Sequence, residues 1–144
     1  MTRTIVRAAA VFCVAGGLTA TVLAQPKAGT LKELNELLLS SCFNKPVLML
    51  DASGVVVRTG RDGVTHTFTL SEIGEIVNDR PDAQANIVLR CRDQKPCVEV
   101  VPTPGGPKSR ISLSVFTITP NAPTGERVLT LFTDLRAAAG ASGK

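Results

Sequence analysis

The sequence predicts an α+β fold: an antiparallel meander of about six strands, bent into a half-barrel or open sheet, with one helix before it and one packed on it at the end. Three observations predict this. Short β-rich runs separated by turn residues recur from Val47 to Ile118. The 3.6-residue apolar period appears near the beginning and again at the end of that region. Consecutive runs are joined by short polar turns, which favours neighbouring antiparallel strands.

The elements follow in order. Met1–Ala24 lies outside the predicted fold. Arg3 and Arg7 form a basic start, Ala8–Leu23 is apolar, and Val22-Leu23-Ala24 has the small residues of a signal-peptidase site before Gln25. That pattern looks like the leader of a bacterial exported protein. The apolar run is shorter than the ~20 residues a spanning helix needs, so no stable membrane span is expected after its removal. Cys13 is discarded with it. Residues 25–29 are a short linker, 30–140 a single domain, and 141–144 a fraying tail.

Thr30 and Glu33 have the spacing of a capping box. Leu31, Leu34, Leu38 and Cys42 then share one stripe, which predicts a helix from Leu31 to Ser41. Val47–Leu50 and Val55–Arg58 flank the turn Asp51-Ala52-Ser53-Gly54, and Gly60–Gly63 leads into Val64–Leu70. In that last run Val64, His66, Phe68 and Leu70 share the core face, and three threonines share the other. Ser71–Val77 fits either a helical turn or a strand, and Asn78–Gln84 reads as a loop. Ile87–Arg92 and Cys97–Val101 flank the polar turn Asp93–Pro96, which predicts a hairpin. After the Pro/Gly-rich loop Pro102–Lys108, Ile111–Ile118 forms a strand with Ile111, Leu113 and Val115 opposing Ser112 and Ser114. Val128, Leu131, Phe132 and Leu135 predict an amphipathic helix, Glu126–Ala139, ended by Gly140.

Composition excludes several function classes. The 144 residues fit one domain and carry a formal charge of +4. Removing the leader takes two of the sixteen basic residues against twelve acidic ones, which leaves +2, an ordinary surface rather than a nucleic-acid footprint. With no Trp, no Tyr and five Phe, stacking platforms for bases or sugars are nearly absent.

Cys42, Cys91 and Cys97 remain after processing. In an oxidising compartment, periplasmic or extracellular, a disulfide between Cys91 and Cys97 across the hairpin tip is favoured, with Cys42 paired to either one as the alternative. Cys-x5-Cys is not a redox motif, and three cysteines with His66 match no zinc spacing. No metal or cofactor is therefore assigned. His66, the single histidine, would lead any acid–base chemistry, but its alternation with core residues reads as structural. No nucleophile elbow, phosphate loop or carboxylate pair is present, so no catalytic residue is assigned. Arg90, Arg92, Lys95, Lys108 and Arg110 are candidates for an anionic-partner patch.

Meander order plus a closing helix, Glu126–Ala139, resembles the pleckstrin-homology-like fold over Val47–Ala139. That resemblance implies a bent sheet closed at one end by the helix, and a role in binding lipid head groups, peptides or proteins. The turn between Leu50 and Val55 lacks the basic loop of lipid-binding members, so lipid is not carried over. The expectation is an exported, non-catalytic domain that binds a protein or peptide. An enzyme working through His66 and a structural envelope component are the alternatives.

Overall fold

The structure, a computed structural model, describes residues 25–80, 84–119 and 122–141. The predicted leader, Cys13 and the last three residues lie outside the described residues.

Helix α1 runs Gln25–Ser41 and helix α2 Ala122–Ala141. Between them lie β1 Val47–Leu50, β2 Val55–Thr59, β3 Thr65–Thr69, β4 Ile73–Asn78, β5 Asn86–Cys91, β6 Val98–Val101, β7 Ser109–Ile111 and β8 Leu113–Thr117. The strands form a five-stranded sheet, β1-β2-β3-β6-β7, and a three-stranded sheet, β4-β5-β8, every pair antiparallel. Neither sheet closes into a barrel.

The chain lays down five long strands, and three of them are each broken in two, which gives eight strands where six were predicted. β3 passes to β4 through a 3-10 turn, Leu70–Glu72. Val98 pairs with Ile111, and the Cys91 N–H donates to the carbonyl of the next residue, Ser112 (2.8 Å). Residues 92–97 are thus an excursion between two consecutive pairing positions. The predicted hairpin around Asp93–Pro96 is therefore corrected: β5 and β6 follow one another along the same partner and do not pair with each other. Viewed this way the meander is sequential, and its last three strands bend from one sheet into the other.

Ser112 is the bend of the third broken strand, and it corrects the predicted face. Leu113 and Val115 turn outward, while Ser114, Phe116 and Ile118 are buried. Ile111 shares a face with the fully buried Val98. One extra residue at a bulge moves every later side chain to the other face.

The core fills the space between the two sheets and the helices. Leu48, Val56, Phe68 and Val98 come from one sheet, and Ile73, Ile87, Leu89 and Phe116 from the other. Leu34 and Leu38 enter from α1, and Val128, Leu131, Phe132 and Leu135 from α2. The Phe116 and Phe132 rings lie 4.9 Å apart. Gly125 lets α2 approach the sheet closely, since a Cβ there would sit 2.6 Å from that of Ala85.

Both helices extend beyond the predicted spans. α1 begins at Gln25, so residues 25–29 are helix rather than linker. Glu33 is then mid-helix, where its carboxylate grips Arg127 of α2 through Nε (2.6 Å) and Nη2 (2.7 Å). That fork ties the helices together and holds the Glu33 carboxyl below its usual range. α2 likewise continues through Gly140 to Ala141, beyond the predicted stop.

The outer edge of β1 is capped by a side chain. Asn35 of α1 accepts from the Leu48 N–H (2.7 Å) and donates to its carbonyl (2.9 Å), as a neighbouring strand would. Asn35→Ala is expected to cost about 1–3 kcal/mol, because both backbone groups of the half-covered edge lose their partner. Urea denaturation checks this, and unchanged stability would contradict the edge-capping role.

Candidate functional site

Two places gather polar chemistry. The first lies inside the fold. Arg58 and His66 are cross-strand neighbours on β2 and β3, on the inward face. Alternation on β2 puts Arg58 on the same face as Val56, and it is only 8 % exposed. Its guanidinium lies over the Phe116 ring, 4.4 Å from the centroid, and Nη1 donates to Ser114 Oγ (2.9 Å). Among the described residues it forms no ion pair. Ser114 Oγ also lies 3.3 Å from His66 Nδ1. With Arg58 donating to one lone pair of the hydroxyl oxygen, a neutral His66 is satisfied in either tautomer: the hydroxyl donates to Nδ1, or Nδ1–H donates to the other lone pair.

Burial, followed by the charge of Arg58, pushes His66 down from its ordinary value to about 4. Asp62 opposes this from a distance. Burial also pulls Arg58 down and pushes the Cys42 thiol up. A Ser–His contact invites a catalytic reading, but three features oppose one. Ser114 is 1 % exposed. Its oxygen already accepts from a cation. And His66, held neutral down to about pH 4, has among the described residues no hydrogen bond to a carboxylate that would orient it as a base.

A pH effect follows. The folded value lies below the unfolded one, so the stability due to neutral His66 is full above about pH 6.5 and is lost as pH falls toward 4. The ring is half-buried, so the full shift is discounted to about 1–2 kcal/mol. Thermal melts of wild type and His66→Gln across this range check it. The wild type is expected to lose the difference on acidification, and parallel curves would contradict it.

The second place is an open cleft of about 560 Å³ where the sheets meet. Gly74, Cys91 and Ser112 line its base, Glu75, Arg90 and Leu113 come from the outer sheet face, and Arg92-Asp93-Gln94 forms a wall. The wall is the excursion 92–97, closed by the Cys91–Cys97 disulfide, whose Cα atoms are 5.7 Å apart. Asp93 and Gln94 both hold positive φ of 56°. Gly74 lets the β4 bulge pack closely on the excursion, since a Cβ there would meet Arg92 Cα at 3.0 Å.

The five predicted basic residues do not form one patch. Arg90 and Arg92 line the cleft, yet Arg90 pairs with Glu75 (2.8 Å) and Asp79 (3.9 Å), and Arg92 donates to the Ser71 carbonyl (3.1 Å). Lys95 is exposed in the excursion. Lys108 and Arg110 belong to the other sheet, where Lys108 meets Glu99 (2.8 Å) and Arg110 lies opposite that same Glu99. The carboxylates interleave with the cations across strands, which is why the charge does not accumulate. Cys91 and Cys97, being bonded to each other, supply no thiolates for zinc. Cys42 is a buried free thiol.

Sequence reasoning missed Arg58 and Ser114. The signal for Arg58 was an inward charge in an alternating strand. Ser114 was hidden by the bulge before it. His66 lines neither this cleft nor a smaller one, about 300 Å³, between Lys27 and Ala52. Among the described residues no helix is long and apolar enough to cross a membrane. No family model, no curated protein and no solved structure matches the chain.

Proposed function

We propose that this is an exported, non-catalytic domain that binds a protein or peptide in the cleft beside the disulfide. The carrying observation is the cleft itself. It is open, mixed in polarity and shaped by a covalently closed loop, and its Arg90 is already paired across strands with Glu75. Such a surface suits an extended chain recognised by shape and backbone hydrogen bonds better than a small anion. A disulfide is compatible with the oxidising compartment that the leader pattern implies. The bent meander with α2 against it supports the resemblance to the pleckstrin-homology-like fold, whose members bind such partners.

The test fills the cleft. Gln94→Tyr places a large ring on an exposed loop residue of the cleft wall, and the melting temperature reads whether its positive φ accommodates the ring. Cross-linking capture from the exported fraction, quantified against wild type, is expected to show one partner lost while the melting temperature is kept. Identical capture by both proteins would overturn the assignment to this cleft.

A further inference from the structure

The other edge of the meander, the outer side of β8, is handled differently from β1. The Ile118 N–H donates to Ala85 O and the Ser112 carbonyl accepts from Cys91, so even-numbered residues of β8 face β5. Odd-numbered residues face away. The Thr117 carbonyl accepts from the Phe43 N–H (2.9 Å), and the Thr119 N–H donates to Ser41 O (2.8 Å). The chain's own Ser41–Phe43 thus pairs with one end of this edge. The outward backbone groups of Leu113 and Val115 receive no such partner among the described residues.

Among the described residues, nothing between them guards the edge. Natural edges carry charges, proline or a covering element, as β1 carries Asn35. Here the segment is Leu113-Ser114-Val115, with Leu113 38 % exposed and Phe43 at its end 75 % exposed. We propose that this edge is a self-association surface: β8 of a second copy pairs antiparallel with it about a twofold axis at Ser114.

The geometry selects that occupant. An antiparallel pair centred on Ser114 sets Leu113 opposite Val115 of the partner and Val115 opposite the partner's Leu113. All outward N–H and C=O groups of the two residues are then satisfied reciprocally, as an isologous interface requires. On the outer face, each exposed Leu113 gains an apolar cross-strand neighbour. The open stretch is short. Phe43 closes it at one end and the bend at Ser112 turns the chain away at the other. A long straight strand would run into Phe43. The same short segment of a second copy, ending in the same bend, fits the space. The three-stranded sheet would become a six-stranded one across the axis, with no charged residue brought onto its own copy at the central pairs.

Sedimentation of the oxidised protein tests this, together with two variants. Val115→Pro removes only an outward N–H and leaves the β5 ladder intact. Leu113→Lys adds an edge charge without touching the backbone. Wild type is expected to pass from monomer to dimer as concentration rises, with the Leu113 and Val115 amides gaining protection from hydrogen exchange in step. Both variants are expected to stay monomeric and to keep the wild-type melting temperature. A wild type that stays monomeric at every concentration, or a dimer that survives both variants, would overturn the proposal. Leu113 also lines the cleft, so the two readings are separated by Gln94→Tyr, which lies off the β8 edge, and Val115→Pro, which lies off the cleft lining.

Discussion

A Cys91→Ala/Cys97→Ala double variant is expected to lose about 2–2.5 kcal/mol of stability, the chain-entropy value for so short a closed loop. For a domain of this size that is a fall in Tm of roughly 10 °C. The bond closes the excursion 92–97 at its base, where the flanking residues pair with the consecutive positions Ser112 and Ile111. Without it, the unfolded chain gains freedom, and the native chain must still hold two ladder ends together around an unpaired loop. One local contact remains, the Cys97 N–H donating to Cys91 Sγ at 3.1 Å, and it goes with the sulfur. Urea denaturation of oxidised, reduced and double-variant protein checks the value. Reduced wild type and the variant should agree. Peptide mapping without reductant should show the 91–97 link and a Cys42 thiol that reacts only on unfolding, because it is buried. A variant as stable as the oxidised protein would show that the ladder alone fixes the bend.

Much of this fold was legible because its signals are local. The stripe Leu34–Leu38–Cys42 and the stripe Val128–Leu131–Phe132–Leu135 are buried as their period requires. The turns at Asp51 and Asp62 lie where their residues place them. Asp51 Oδ1 accepts from the Ser53 and Val55 N–H groups, as its turn demands. What escaped was non-local. The polar stretch Asp93–Pro96 has the composition of a hairpin turn, and only pairing of both flanks with one distant strand shows that it is a loop within a strand. A bend at Ser112 carries no residue signature, yet it reverses the faces of Leu113 and Ser114. The same blindness hid the interior polar cluster, because Arg58 and Ser114 lie on different sheets and meet only when the sheets face each other. For the patch, counting cations could not show that Glu75 and Glu99 lie across from them.

Ser114→Ala is expected to cost about 2–3 kcal/mol, more than a hydroxyl usually contributes, because it strands a buried charge. Arg58 stays charged at any working pH, and its guanidinium is almost wholly removed from water. Ser114 accepts a hydrogen bond from it, and the Phe116 face lies against it. Removing both partners is a different matter. Arg58→Met keeps the long stem over Phe116 and deletes the charge, and a buried cation with no ion pair is one whose desolvation is poorly offset. In the Arg58→Met background, Ser114→Ala should therefore cost less than about 1 kcal/mol. The double-mutant cycle in urea reads this difference directly. A Ser114→Ala cost that is the same in both backgrounds would mean that the hydroxyl acts through His66 alone. A large cost for Arg58→Met by itself would mean that the cation is anchored by more than one serine. The expected pattern is a large single loss at Ser114, a small one at Arg58, and a strong favourable coupling between them across the two sheets.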